Sequence, residues 1–343
     1  MPALGSSNDP PASGKDTSWR NAPLATRVSP ESDFIALMRG LASGRAARGL
    51  LDDAAVLEVG GRSLVLTKDM LVEGVHYRSD DPPEDVAWKL VAANLSDLAA
   101  KGARPLAVML GFMLGEAEWD RRFAAGLGIC LARYGAPLVG GDTVGRAEGS
   151  PRVLSLTAIG EAEGPVPGRS GAAAGDELWA SGVIGDAGAG LAVLCGELAG
   201  SDALVRAYRA PRPRLAAGQA LAPLVSAMMD VSDGLLIDAG RLAQASGVGI
   251  RIDLDRVPLS QAYVGALGRS RAARVRAATA GDDYELLFTV PRELGPRIAG
   301  LSEALGLPLT RIGTCEAGAG LRLVDAEGDV PLPERLGYEH RAG

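Results

Sequence analysis

Seven aspartates lie in five short Gly-, Ser- and Thr-rich segments spread along this 343-residue chain: Asp52-Asp53, Asp69 in TKDM, Asp97 in NLSD, Asp142 in GGDT, and Asp230 with Asp233 in DVSDG. Such segments constrain a fold more than apolar runs do, because a carboxylate cannot enter an interior without a cation or a hydrogen-bonding partner. Each segment alone has a local explanation, since Asp is favoured at turns and helix N-caps. Five together ask for more. Carboxylates at turns and helix starts, gathered from distant parts of one fold, are hard-cation ligands, and oxygen-only ligation points to Mg²⁺ or Ca²⁺.

Asp97 argues most strongly. It falls in a helical stretch with Leu95, Leu98, Ala99 and Ala100 around it and Asn94 three residues earlier on the same face. An aspartate there is costly unless it is paired. If several of these carboxylates share a site, each pair about 4 Å apart repels by about 4 kcal/mol at an effective dielectric near 20. The expected occupant is therefore two or more Mg²⁺ ions with a polyphosphate, which fits a nucleotide better than a lone ion.

Composition sets the outer limits. The length allows two domains, and 47% hydrophobic with 22% charged residues is ordinary for a globular protein. Aromatics make up 4% and there are 46 glycines, so Ala, Leu and Val should build the cores between tight turns. A net charge of −7 without a basic stripe argues against nucleic acid. Cys130, Cys195 and Cys315 are widely spaced in apolar runs, which suits reduced thiols in the cytoplasm. The longest apolar stretch, 105–115, is too short for a bilayer span of about 20 residues, so no membrane partner is expected. Residues 1–30, rich in Ser, Pro, Ala and Asn, read as a disordered tail.

Past the tail, strand-like and helix-like segments alternate. Strands are expected at 54–59, 63–67, 106–114, 137–139 and 153–159, with helices at 84–101 and 116–134. The order is that of an α+β domain with mixed pairing. The Gly- and Pro-rich stretch 160–175 reads as a boundary, giving domains at 31–162 and 163–343. In the second, strands are expected at 177–181, 250–254 and 284–290, and helices at 189–198, 215–224 and 235–246, with Asp230 and Asp233 at the start of the last.

Familiar nucleotide motifs fail. No P-loop, no kinase catalytic set and no EF-hand pattern is present, and the glycines 182, 185, 188 and 190 lack dinucleotide-fold spacing. The paired glycines before Asp142 would let a backbone approach a phosphate, and Arg169, in a Gly-rich loop, is suited to gripping one.

In order along the chain, Asp52-Asp53-Ala54, TKDMLVEGVHY, NLSDLAAKGA, GGDT, GRSGA, DVSDG and GDDYEL resemble the thiamine-monophosphate kinase family. That family belongs to the ATP-binding superfamily of aminoimidazole ribonucleotide synthetase and selenophosphate synthetase. The resemblance implies an N-terminal mixed-sheet domain forming the core of a homodimer, a C-terminal α/β domain beside it, and ATP between the halves. It implies transfer of the ATP γ-phosphoryl to thiamine monophosphate, with no catalytic base. On matching positions it implies Mg²⁺ ligands at Asp53, Thr67, Lys68, Asp69, Asp97, Asp142, Asp230 and Asp233. ATP would meet Gly141, Asp142, Arg169 and Ser232, and the thiamine end would meet His76, Asp282 and Tyr338.

Three positions depart from the family pattern. Leu51 stands where many relatives have Gly, Lys68 where Thr is usual, and Asp282 where Glu is more common. Two alternatives stay open. One is a sister ATP-dependent enzyme of the superfamily, although selenide or hydrogenase-maturation chemistry would favour a terminal cysteine and the first here is Cys130. The other is a non-catalytic metal- or nucleotide-binding protein.

Overall fold

The structure is a computed structural model that describes residues 30–340. The expected tail lies outside the described residues except for Pro30, which opens α1, Pro30–Arg39.

The first half is a five-stranded mixed sheet backed by two helices. β1 (Ala55–Val59) and β2 (Arg62–Val72) form a hairpin about Gly60-Gly61, both at positive φ. α2 (Pro83–Ala100), β3 (Arg104–Leu114), α3 (Ala117–Tyr134), β4 (Leu138–Gly145) and β5 (Val153–Ala162) follow. The strand order is β1-β2-β5-β3-β4, with only β3 and β4 parallel. Leu154, Leu156 and Ala158 alternate inward on β5 and meet Leu90, Leu95 and Leu98 of α2, a period-2 strand face against a helix stripe.

β4 is longer than the expected strand 137–139 and carries GGDT inside it. Gly141 serves close strand packing: a Cβ there would lie 1.9 Å from the Leu110 carbonyl oxygen. β4 is also an edge strand, and all eight of its residues are exposed.

The second half is built on a seven-stranded sheet ordered β12-β11-β8-β10-β6-β9-β7. Its elements begin with β6 (Glu177–Ser181), α4 (Asp186–Leu194), α5 (Asp202–Arg209), α6 (Leu215–Leu221), β7 (Ala227–Val231), α7 (Leu235–Ser246) and β8 (Gly249–Asp253). They continue with α8 (Gln261–Leu267), α9 (Arg271–Ala278), β9 (Glu285–Val290), α10 (Gly295–Leu305), β10 (Leu309–Glu316), β11 (Gly320–Asp325) and β12 (Gly328–Val330). Only β8 and β11 pair in parallel, so this half is a mixed, mostly antiparallel sheet.

α4 begins before the expected residue 189 because Asp283, distant in sequence, accepts from Gly185 N at 2.7 Å and Ala187 N at 3.4 Å and caps the helix. Asp230 stands on β7 rather than at a helix start, and only Asp233 lies in the turn before α7.

α2 joins the halves. Its end, Ala99 and Ala100, packs into a core shared with Leu221, Met228 and Ile298. Gly218 of α6 sits so close that a Cβ there would be 1.9 Å from the Ala99 carbonyl oxygen. The helix carrying Asp97 is thus laid against β7, which carries Asp230.

Candidate active site

Asp53 comes from the turn before β1, Thr67 and Asp69 from one face of β2, Asp97 from α2 and Asp230 from the end of β7. Carboxylate oxygens of Asp53, Asp97 and Asp230 lie within 4.8 Å of one another. The Thr67 hydroxyl donates to Asp97 Oδ2 in a short hydrogen bond. Ser96 Oγ donates to Asp230 Oδ2 at 2.6 Å, and Asn94 Oδ1 accepts from the Asp69 amide at 3.1 Å. α2 therefore presents one polar face, Asn94 to Asp97, to strands of both halves.

The electrostatics are those of a site short of positive charge. Burial, with repulsion from Asp233 and Asp53, pushes Asp69 up to about 6. Burial and Asp53 push Asp230 up to about 8. Asp97 is raised well above the ordinary carboxylate range by burial and by Asp69, Asp230 and Asp53. Asp53 goes the other way: burial would raise it, but Lys101 and Arg169 together hold it below its ordinary value.

Lys101 Nζ is fully buried, 2.5 Å from Asp53 Oδ2, and donates to Asp52 as well. Arg169 approaches Asp53 Oδ1 at 2.5–2.6 Å. Asp233 pairs with Arg241 at 2.5 Å, and buried Asp238 accepts the amides of Ser232, Asp233 and Gly234 at 3.1–3.2 Å, holding the turn before α7.

These residues fit a hard cation. Asp53, Asp97 and Asp230 bring carboxylate oxygens from three segments together, and Asp53 Oδ2 already meets one cation, the Lys101 ammonium. The convergent oxygens have a spacing that Mg²⁺, with bonds near 2.1 Å, can bridge directly or through bound water.

Two expected metal ligands stand apart. Lys68 lies between Thr67 and Asp69 on β2, so its side chain leaves by the opposite face, where Nζ reaches Ser155 Oγ at 3.3 Å. Its ammonium cannot replace charge at the cluster, and only its main-chain carbonyl remains available. Asp142 is three strands from β2, roughly 14 Å at about 4.8 Å per step. The register row Met70–Ser155–Gly111–Asp142 puts it on the face opposite Asp69. Within one chain neither Asp142 nor Gly141 joins the cluster. The Leu51 departure is benign, since φ there is −114° and no glycine is required.

At the other end of the cleft the structure gathers His76, Asp282 and Tyr338. His76 Nδ1 accepts from the Val72 amide at 3.0 Å, which leaves the neutral ring its Nε2–H donor. Burial and His340 hold His76 below its ordinary pKa. The His76 and Tyr338 rings each lie 5.0–5.2 Å from the His340 ring, and the Tyr338 amide donates to the Asp233 carbonyl at 2.9 Å. The C-terminal segment thus docks on the start of α7. Asp282 sits at φ 69°, with its amide on the Ser232 carbonyl at 2.7 Å.

Sequence reasoning missed Lys89, Lys101, Arg241 and Asp238, all of which hold site residues. For the two lysines the signal was present: each is a charge in the same apolar helical window that made Asp97 conspicuous.

The fold and site define a class. The family description AIR synthase related protein, N-terminal domain, matches residues 51–162, and that for the C-terminal domain matches 173–326. Within that class, a thiamine-monophosphate kinase of Caulobacter vibrioides is 42% identical over 323 residues, 90% of each chain. The crystal structure of thiamine-monophosphate kinase from Stenotrophomonas maltophilia K279a is 38% identical with a TM-score of 0.72, covering 85% of this chain and 95% of that one. AaThiL complexed with AMPPCP and TMP is 30% identical with a TM-score of 0.78, covering 91% of this chain and 97% of that one. The chain belongs to the thiamine-monophosphate kinase family.

Proposed function

We propose that this protein transfers the γ-phosphoryl group of ATP to thiamine monophosphate, giving thiamine diphosphate and ADP. The observation that carries the reading is the convergence of Asp53, Asp97 and Asp230 from both halves of the chain, a carboxylate cluster that calls for cations. A relative of 30% identity bound to AMPPCP and TMP supports the choice of co-substrates.

Asp53, Thr67, Asp69, Asp97, Asp230 and Asp233 would hold Mg²⁺. Bound Mg²⁺ supplies neutralisation of two polyanions and in-line alignment of their oxygens. The residues supply the rest. Arg169 and Ser232 bind the ATP phosphates, with Arg169 already held at the cluster by Asp53. His76, Asp282 and Tyr338 bind the acceptor's heterocycles, the Asp282 carboxylate suiting the thiazolium cation. No general base is needed, because the acceptor phosphate has a second pKa of about 6 and attacks as an anion at neutral pH.

We infer that the protein works as a homodimer. The open face and edge of the first sheet expose Met70, Met109, Leu114, Leu138, Val139 and Val144 at 44–62% of their areas, an apolar surface that a second copy would cover. Asp142 and Gly141 lie on that edge, so their proposed place at a triphosphate is in the partner's site. This chemistry uses cytoplasmic metabolites, and the buried free thiols of Cys130 and Cys315 accord with that compartment. Among the described residues no helix is long and apolar enough to cross a membrane.

The test is formation of thiamine diphosphate by purified protein with ATP, Mg²⁺ and thiamine monophosphate, with free thiamine as a parallel acceptor. Mg²⁺-dependent product from the monophosphate alone is expected. No product from either acceptor while ATP still binds would transfer the assignment to a sister activity of the superfamily.

A further inference from the structure

Lys89 is 2% exposed on α2, surrounded by the apolar residues Val86, Leu90 and Val91. Its ammonium meets three partners from three segments. It donates to the His76 carbonyl at 2.9 Å and to Asp282 Oδ2 at 2.8 Å, and it lies 3.9 Å from the centroid of the buried Tyr208 ring on α5. An ammonium has three N–H donors and a face of a tyrosine ring takes the third as a cation–π contact. All three directions are used inside the protein.

The partners define the acceptor end of the cleft. His76 belongs to the first half, Asp282 and Tyr208 to the second, so one cation ties the two walls together. Asp282 and Tyr284 both lie at positive φ, 69° and 51°, a conformation that non-glycine residues rarely adopt and that surrounding contacts must impose. Their amides are held by the Ser232 and Val231 carbonyls at 2.7 and 2.8 Å. Those bonds fix the backbone; Lys89 on Oδ2 and the Tyr284 hydroxyl at 3.2 Å from Oδ1 fix the direction of the Asp282 carboxylate.

We propose that Lys89 is a positioning residue that sets the affinity for thiamine monophosphate, acting through Asp282 and His76 without touching the substrate. This rests on the reading of the acceptor end given above. Asp282 has one methylene fewer than a glutamate, so its reach depends on being aimed, and Lys89 is the group that aims it. Lys89 engages Oδ2, so Oδ1, which accepts from the Tyr284 hydroxyl, is the oxygen left for a thiazolium ring.

Steady-state kinetics with each substrate varied separately test the proposal on the full chain. In Lys89→Met the KM for thiamine monophosphate should rise by about tenfold or more, with the KM for ATP within about twofold and kcat near that of the wild type. Lys89→Arg, which keeps the charge but not the tripod of donors, should recover part of the loss. Tyr208→Leu keeps an apolar side chain while removing the ring contact and should raise the acceptor KM a few-fold; it also serves if Lys89→Met does not fold. Equal rises in both KM values, an unchanged acceptor KM in folded Lys89→Met, or, where that variant does not fold, an unchanged acceptor KM in Tyr208→Leu, would overturn the role of Lys89 while wild-type turnover left the kinase reading intact. A wild-type protein that does not phosphorylate thiamine monophosphate would instead overturn the reading on which the proposal stands.

Discussion

At the scale of single residues, the site is governed by which cation each carboxylate meets. Asp53 is the one member of the cluster held below its ordinary pKa, despite complete burial, because Lys101 and Arg169 flank it. Lys101 also holds Asp52 and the Met228 carbonyl, so it is a resident cation in a place suited to a metal ion. Lys101→Met should therefore have opposite effects with and without metal. Without metal it leaves two buried carboxylates less compensated, and breaking such a pair costs about 3–5 kcal/mol. With Mg²⁺ the competing charge is gone and the ion binds more tightly. Thermal unfolding in chelator should show a clear loss for the variant, and titration calorimetry in the absence of nucleotide should show a lower Mg²⁺ Kd than for the wild type. A Kd unchanged or raised would mean that Lys101 does not compete with the metal.

At the scale of elements, α2 decides how the halves meet, and its contact with α6 has no spare room. A side chain at Gly218 would run into the Ala99 carbonyl, two residues from both Asp97 and Lys101. Gly218→Val should cost about 1–3 kcal/mol by overpacking, or about 1–4 °C in Tm for a chain of this size, and should weaken Mg²⁺ binding because the end of α2 must move. A variant with wild-type Tm and metal affinity would show that the contact adapts freely. The same helix explains what was legible in the sequence. Its polar face, Asn94 to Asp97, stood out because a charge in an apolar helix demands a partner, and the order β, β, α, β, α, β, β followed from apolar patterning together with the Gly60-Gly61 turn and the Pro82-Pro83 helix start. Asp230 was misplaced onto a helix start because β7 is a short apolar run buried on both faces, whose type periodicity cannot decide. β10, β11 and β12 escaped for a related reason: short strands interrupted by glycines carry little alternation. Lys68 and Asp142 were grouped with the cluster by motif, and only strand register shows that they face away from it.

At the scale of the whole molecule, the halves are held together against their own charge. Asp69 and Asp230, pushed up to about 6 and about 8, bind protons in the folded metal-free protein that the unfolded chain has already released. Raised carboxylate pKa values favour the folded state at low pH, so metal-free stability should fall as pH rises from about 4 through about 8. Mg²⁺ should reverse this, raising Tm more near pH 8 than near pH 5.5, where protons compete for the same oxygens. A Mg²⁺ effect independent of pH would separate the ion from these carboxylates. The proposed homodimer leads to one more prediction. If Asp142 serves the partner's site while Asp97 serves its own, Asp97→Asn and Asp142→Asn homodimers should both be inactive by orders of magnitude, for different reasons. Mixed by unfolding and refolding, they form heterodimers in which one site has lost both groups and the other has kept both. With random pairing, half the dimers are mixed and each has one native site, so about a quarter of wild-type activity should return. Service within one chain predicts no recovery at any mixing ratio, because every site would then lack one carboxylate.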